Sequence, residues 1–374
     1  MTYNLKRAAW ERDGVLFDRD SEFDSQQTID AIAGHLRALG HTVRLVEATA
    51  DLPRWFLRHD VDLVFNIAEG TCGEHREAQV PAVLELLHVP YTGSNSVTLA
   101  LALDKAKTKQ ILASEGLSTP AWQLWPSPSA PLDPRLTFPL IVKPNREGSS
   151  KGIWRESVVD DEPALRRQAA FLYERYRQEI LVEEFIHGTE LTAGVIGQEA
   201  LPVLEIDFSP CEPSGEFFYS WRMKEFQGDA VRGLAPAFYC PARLDARTTA
   251  LVQAAALRAH RALGCADLSR TDIRLRADGT PFVLEVNPLP GLHPSDSNFP
   301  VMTSAAGYTH RALIQRIVEL SMVRHHHPSR AARRRSMAAA APEGTAVPPQ
   351  EPPPIPAGSR RAGGLLEDRD EKEE

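Results

Sequence analysis

Residues 270–287 read RTDIRLRADGTPFVLEVN, two strand-like runs joined at an Asp-Gly turn. A pair of this kind between two such runs selects a tight antiparallel hairpin. Asp272 lies on the first strand and Glu285 on the second, nearly symmetric about the turn, so they face each other across the ladder. Glu285 and Asn287 are two positions apart and share a face. Three oxygen-bearing side chains with no His or Cys suit Mg²⁺ held together with phosphate oxygens. A hairpin carrying exposed polar residues explains the pattern equally well.

Helix and strand signals alternate along the rest of the chain. In SQQTIDAIAGHLRALG, residues Ile29, Ile32, Ala33, Leu36 and Leu39 fall on one helical face, and Gly40 suits the C-terminal cap. TVRLVEA and VDLVFNI read as strands, REAQVPAVLELLH as a helix and VPYTGS as a short strand and turn. This βαβ order predicts a parallel sheet. DKAKTKQILASEG is a helix with Asp104 at its N-cap, and FPLIVKP and EILVEEFI are strands flanking a Gly/Ser loop. LTAGVIG and ALPVLEIDF supply further strands, and ARTTALVQAAALRAHRALG and HRALIQRIVEL are helices, the last with Leu313, Ile317 and Leu320 as its buried stripe. The opening MTYNLKRAAWERDG shows no apolar strand, although such a domain ordinarily begins with one. From Arg324 onward the chain is rich in Pro, Ala and charge, which predicts disorder, and the run His325 to His327 reads as solvated rather than metal-binding.

The net charge of −8 argues against a general nucleic-acid or anionic-membrane binder. Cys72, Cys211, Cys240 and Cys265 have no zinc or redox spacing and read as reduced thiols. No signal segment or membrane-length apolar run is present, so a soluble cytoplasmic protein is expected.

Two more stretches carry chemistry. In FPLIVKPNREGSSKGI a buried strand ends at Lys143, followed by Gly148, Ser149, Ser150 and Gly152. Small residues let backbone N–H groups approach phosphate oxygens, and the lysine adds positive charge. The P-loop spacing is absent, and a flexible surface loop is the plain alternative. GSSKG formally fits G-x-S-x-G with Ser150 as a hydrolase nucleophile. That elbow needs a strand directly before and a helix directly after, whereas four residues intervene after the strand and GIWRES reads as a strand. In ILVEEFIHGTEL, Glu183, Glu184 and Glu190 offer carboxylates suited to an adenine amino group and ribose hydroxyls, or simply a charged strand end.

In this order, the three constellations resemble the ATP-grasp fold, and within it the D-alanine–D-alanine ligase family. PYTGS, LALDKAKTKQILASEGLSTP, KPNREGSSKG, LSRTDIRL and LEVNPLPGLHPSDSNFP agree, and the resemblance spans roughly residues 20–322. It implies an α/β (α+β ATP-grasp) architecture. The expected parts are an N-terminal parallel α/β domain (1–100), an ATP-binding lid subdomain (101–187), a C-terminal antiparallel-sheet catalytic subdomain (188–323) and a disordered tail (324–374). The implied activity is an ATP-dependent carboxylate–amine ligase working through an acyl phosphate. The expected cofactors are ATP and Mg²⁺ (or Mn²⁺), the partners small amino acids with neither nucleic acid nor membrane, and the assembly a homodimer.

By resemblance, Lys105 and Lys143 contact phosphates, with Lys224 among the ATP-binding residues, and the loop at Ser149 and Ser150 closes over them. Glu183, with Glu184 and Ile186, meets adenine, and Glu190 meets ribose. Asp272, Glu285 and Asn287 hold two Mg²⁺ ions. Arg270, on the same face as Asp272, and the Gly291 N–H steady the oxyanion. Glu22 anchors the first substrate's ammonium, and Ser297 (or Ser295) lies near the second substrate's carboxylate. Ser149 belongs to the catalytic set. Two departures fall where substrate is read: Glu225 follows Lys224 where the family carries a tyrosine, and Glu69-Gly70 replaces a His-Gly. They leave open a ligase for other amino acids or for a small-metabolite acid and amine. An ATP-binding protein without ligase activity is a third reading, motivated by the missing opening strand.

Overall fold

The computed structural model describes residues 1–7, 18 and 20–325. The expected tail beyond His325, with His326 and His327, lies outside the described residues. The N-terminal part carries β1 (Thr2–Tyr3), α1 (Gln26–Ala38), β2 (Val46–Glu47), α2 (Leu52–Arg58), α3 (Gln79–Leu86) and α4 (Ser96–Leu103). Its strands run parallel: β1 pairs with β2, and single parallel bridges join Thr2 to Asn66 and Val64 to Tyr91. The opening strand is therefore present as Thr2–Tyr3, which corrects the expectation that it was missing. The Thr2 N–H donates to Phe65 O at 2.9 Å and the Ile67 N–H to Thr2 O at 3.0 Å. Its shortness and its mixed Thr-Tyr-Asn composition hide it from an apolar-run reading. VDLVFNI is buried as expected from Val64 to Ile67, but it pairs through bridges rather than as a full strand.

In α1 the Ser25 hydroxyl accepts the Thr28 N–H, and Ile29, Ile32, Ala33 and Leu36 are buried. Gly40 follows at φ +90°, the left-handed position that ends a helix without steric cost. Asp104 caps α5 (Lys105–Ser114) by accepting the Lys107 N–H, as its sequence predicts.

After α5 come β3 (Trp122–Trp125), β4 (Leu140–Pro144), β5 (Val158–Val159), α6 (Glu162–Tyr176) and β6 (Ile180–Glu184). The strands form an antiparallel sheet in the order β3-β6-β4-β5, with α6 burying Leu165, Ala169 and Leu172 in the same core as Leu140 and Val182. The stretch GIWRES is not a strand: it forms a turn and a 3-10 helix over Arg155–Ser157, where the Trp154 N–H donates to Ser157 Oγ at 3.0 Å.

The third part holds β7 (Thr189–Ile196), β8 (Glu199–Ala200), β9 (Leu204–Asp207), α7 (Trp221–Glu225), β10 (Ala237–Tyr239) and α8 (Ala246–Ala262). It continues with β11 (Leu268–Leu275), β12 (Pro281–Asn287), α9 (Asn298–Ala305) and α10 (His310–His325). The sheet order is β10-β9-β7-β11-β12, all antiparallel, with β8 hung on β7. On one side α8 packs Val252, Ala256 and Ala259 against Leu191, Ile273 and Val283, together with Leu112 of α5. α10 buries Leu313, Ile314 and Ile317 and runs on to His325. Its Arg324 pairs with Asp267 at 3.0 Å, so the expected boundary at 324 falls inside a helix.

Candidate active site

The β11–β12 register places Asp272 directly opposite Glu285 and Arg270 opposite Asn287. The Arg270 guanidinium donates to both Asp272 oxygens, at 2.9 and 2.8 Å, and Thr192 Oγ1 donates at 2.7 Å. Glu285 pairs with the Lys105 ammonium at 3.2 Å. Burial pushes Glu285 up, but Lys105, Lys143 and Arg270 outweigh it and hold the carboxyl at about 2. Asn287 Oδ1 accepts the Leu289 N–H at 3.1 Å. Among the described residues no three His, Cys, Asp or Glu side chains gather as a metal cluster. The set here is two carboxylates plus an amide oxygen, all lining one cavity, a donor chemistry that fits a hard divalent cation.

Next to the hairpin lies a cleft lined from both antiparallel sheets by Lys143, Glu183, Glu184, Ile186, Glu190 and Asp272, with Lys105 from the start of α5. Glu183 is buried and bridges two lysines: Lys109 Nζ at 2.6 Å, and Lys143 Nζ in a second close contact. Burial drives the Lys109 ammonium down to about 8 even with Glu183 beside it. The Glu183 carboxylate thus has its charge spoken for, and its partner Lys143 is held at the cleft. Glu184 accepts the Thr137 hydroxyl at 3.1 Å. Glu190 pairs with Arg274 at 2.6 Å, and burial raises its pKa above the ordinary carboxyl value. Arg274 also lies 5.1 Å from the Phe185 ring centroid, and Phe185 meets Phe217 and Phe218 edge-on. Sequence reasoning missed Lys109, Arg274 and this aromatic wall. Lys109 sits one helical turn after Lys105, a spacing that was there to be read.

The loop after β4 turns sharply because Ser149 and Ser150 both have left-handed backbones, at φ +51° and +57°. Such geometry is costly for residues with a Cβ and recurs at functional sites. The Lys224 ammonium donates to Ser149 Oγ at 3.2 Å, and Ser150 Oγ donates to the Tyr219 carbonyl at 3.0 Å. Ser150 therefore spends its proton on a backbone carbonyl, which is no arrangement for a hydrolase nucleophile. Burial lowers the Lys224 pKa to about 8, with the nearby Arg270 acting in the same direction.

A second cavity, continuous with the hairpin residues, is lined by Glu22, Asp24, Glu69, Lys224, Arg270 and Ser297 together with Gly291. Glu22 is held on several sides. It accepts Arg76 Nε at 3.0 Å and the Gly148 N–H at 2.7 Å, Arg76 Nη2 makes a further close contact, and Lys151 lies 3.5 Å away. Burial raises its pKa, but Arg76 and Lys151 overcome this and bring it to about 2. Its neighbours behave in the opposite way. Burial lifts Asp24 to about 7, and burial with Glu77 and Glu22 nearby lifts Glu69 well above the ordinary value. Ser297 Oγ accepts the His293 N–H at 3.1 Å and faces the cavity, packing against Gly291 so closely that a Cβ there would sit 2.7 Å from it. Ser295 is exposed and turned toward Asp296 and His293, so of the two serines the cavity takes Ser297. Glu225 pairs with Lys6 at 2.9 Å.

The family described as D-ala D-ala ligase C-terminus matches residues 112–319. A D-alanine–D-alanine ligase of Synechococcus sp. (strain JA-3-3Ab) is 37% identical over 296 residues, 77% of this chain and 86% of the relative. An uncharacterized protein, y4sG, of Sinorhizobium fredii is 31% identical over 307 residues, 79% of this chain and 88% of its own length. The crystal structure of D-alanine–D-alanine ligase from Bacillus anthracis complexed with ATP is similar with a TM-score of 0.68 at 25% identity, covering 87% of this chain and 97% of that one.

Proposed function

The chain belongs to the D-alanine–D-alanine ligase family and is an ATP-dependent ligase, and from that premise we propose that it joins two molecules of D-alanine through an acyl phosphate, releasing ADP and phosphate. The observation that carries this reading is the register of the hairpin. Asp272 and Glu285 face each other at the mouth of a cleft where Lys105 and Lys143 converge. Oxygen donors beside paired ammonium groups are what a triphosphate with its cation requires.

ATP lies in the cleft between the two antiparallel sheets. Phe185 and Ile186 cover adenine, with Glu184 and Glu183 at its edge, and Glu190 receives the ribose. Lys105, Lys143 and Lys224 neutralise phosphate charge, and the loop at Ser149 and Ser150 closes over it. Asp272, Glu285 and Asn287 would hold Mg²⁺, which would supply further positive charge against the phosphates. Glu22 orients the first amino acid through its ammonium. That substrate's carboxylate oxygen attacks the γ-phosphorus, the bond to the β-phosphate oxygen breaks, and ADP forms. The amine of the second amino acid, its carboxylate near Ser297, then attacks the acyl carbon and loses a proton. Arg270 and the Gly291 N–H offset the charge on the tetrahedral oxygen before the bond to phosphate breaks. No helix among the described residues is long and apolar enough to cross a membrane, and a cytoplasmic site of action is part of this reading.

A second reading keeps the chemistry and changes the amino acid. It is favoured by Asp24 and Glu69, whose carboxyls face the cavity with raised pKa values. The test is product identification by mass spectrometry, with Mg-ATP and D-alanine alone, then with D- and L-amino acids singly and in pairs. D-alanyl-D-alanine from D-alanine alone supports the first reading. A product only from another amino acid or a mixed pair supports the second, and no amide with any of them sinks both.

A further inference from the structure

Arg76 lines neither the nucleotide cleft nor the cavity of Asp24 and Glu69, and nothing in its sequence context marks it. It is nonetheless buried, with 7% of its surface exposed, and its guanidinium is divided among three partners on two parts of the chain. Nε and Nη2 hold Glu22, Nη1 donates to the Arg146 carbonyl at 2.9 Å, and Nη2 also reaches Glu147 at 3.2 Å. Lys151 closes the arrangement from the other end of the loop, 2.6 Å from Glu147. The Gly148 N–H donates to the same Glu22 carboxylate, and a Cβ on Gly148 would sit 2.8 Å from Glu22 Oε1. The backbone that presents Arg76 is equally confined: a Cβ on Gly70 would meet the Arg76 carbonyl oxygen at 2.2 Å.

We infer that Arg76 is a positioning residue that clamps the phosphate loop, residues 146–151, to Glu22 and so sets the affinity for ATP without touching it. The inference rests on the reading that this loop covers the triphosphate. A planar guanidinium with a fixed fork of donors can bridge two carboxylates and a carbonyl at once, and an ammonium cannot reproduce that geometry. With the clamp in place, the loop's strained serines are held ready for phosphate and little ordering remains to be done on binding. Without it, the loop must be ordered at the expense of binding.

The test is calorimetric titration of the full-length protein with Mg²⁺ and the non-hydrolysable analogue AMP-PNP, with no amino acid present, alongside thermal unfolding without nucleotide. Arg76→Met is expected to weaken AMP-PNP binding about tenfold. Arg76→Lys, which keeps the charge and loses the fork, should fall between the two. Arg76→Met with Glu22→Gln, which leaves no buried unpaired charge, should bind no more weakly than Arg76→Met alone. If Arg76→Met does not fold, Arg76→Lys and the double variant carry the test. Wild-type affinity in the variants that fold, with only the unfolding temperature lowered, makes Arg76 merely structural and overturns the inference. A wild-type protein that binds no AMP-PNP instead overturns the reading on which it rests.

Discussion

The cleft proposed for the nucleotide and the cavity proposed for the amino acid share Glu190, Asp272 and Glu285 along their common edge, yet they pair buried charge to different degrees. In the cleft, carboxylates sit in ion pairs: Glu183 with Lys109 and Lys143, Glu190 with Arg274, Glu285 with Lys105 and Asp272 with Arg270. In the cavity Glu22 is paired, whereas Asp24 and Glu69 are held by burial toward their neutral forms. A site for a reactant that arrives with its own cation can be balanced in advance. On the proposed reading, the ammonium of the amino acid anchored at Glu22 also brings the positive charge that Asp24 and Glu69 lack in the free protein.

The comparison breaks most visibly at Glu183. Glu183→Gln leaves two lysines without their buried counter-charge, and loss of one member of a buried pair costs about 3–5 kcal/mol. Chemical denaturation should show a loss of that size, and a loss below about 1 kcal/mol would mean that the pairing is not what holds the cleft together. Glu69→Gln probes the other side. It should change the KM for the first amino acid about tenfold while leaving the KM for ATP within about twofold. Equal changes in both would erase the distinction between the two regions.

Acidity sharpens it further. A carboxyl raised in the folded state binds more protons there than in the unfolded chain, so it costs stability as pH rises toward its folded pKa. For Asp24 and Glu77, each raised to about 7 chiefly by burial, that window runs from the ordinary carboxyl range up to about 7. Glu22 and Glu285, held at about 2, contribute stability that is complete above the ordinary range and is lost as pH falls toward 2. Thermal unfolding of the free protein should therefore show a decline from pH 5 toward pH 7 that Asp24→Asn makes shallower, and an unchanged slope in that variant would contradict the assignment. The smallest effect belongs to Lys6 and Glu225, whose pair is partly exposed at 39% and 27%. Glu225→Gln should shift stability by less than about 1 kcal/mol.

The cleft was also the legible half. The cleft residues that were read lie mostly on strands and at strand ends, where period and turn chemistry fix the face. The Asp-Gly turn by itself sets Asp272 opposite Glu285, and the strand register agrees. Asp104 likewise announced α5 and with it the place of Lys105. The cavity is assembled from loops whose geometry depends on distant segments. Arg76 meets Glu22 across 54 positions and Glu147 across 71, and no local pattern encodes such meetings. The opening strand was missed for a related reason: two residues of mixed polarity become a strand only because β2 and the Phe65–Ile67 backbone flank them.

The most direct measurement is ADP release in the presence of Mg-ATP and D-alanine, comparing the wild-type protein with Glu285→Ala. The account predicts turnover that depends on the amino acid, and a fall of at least about a hundredfold in the variant, because the carboxylate opposite Asp272 is gone and Lys105 loses its partner. Turnover that survives in Glu285→Ala at the wild-type rate would contradict it, for the hairpin would then not be where phosphate is handled.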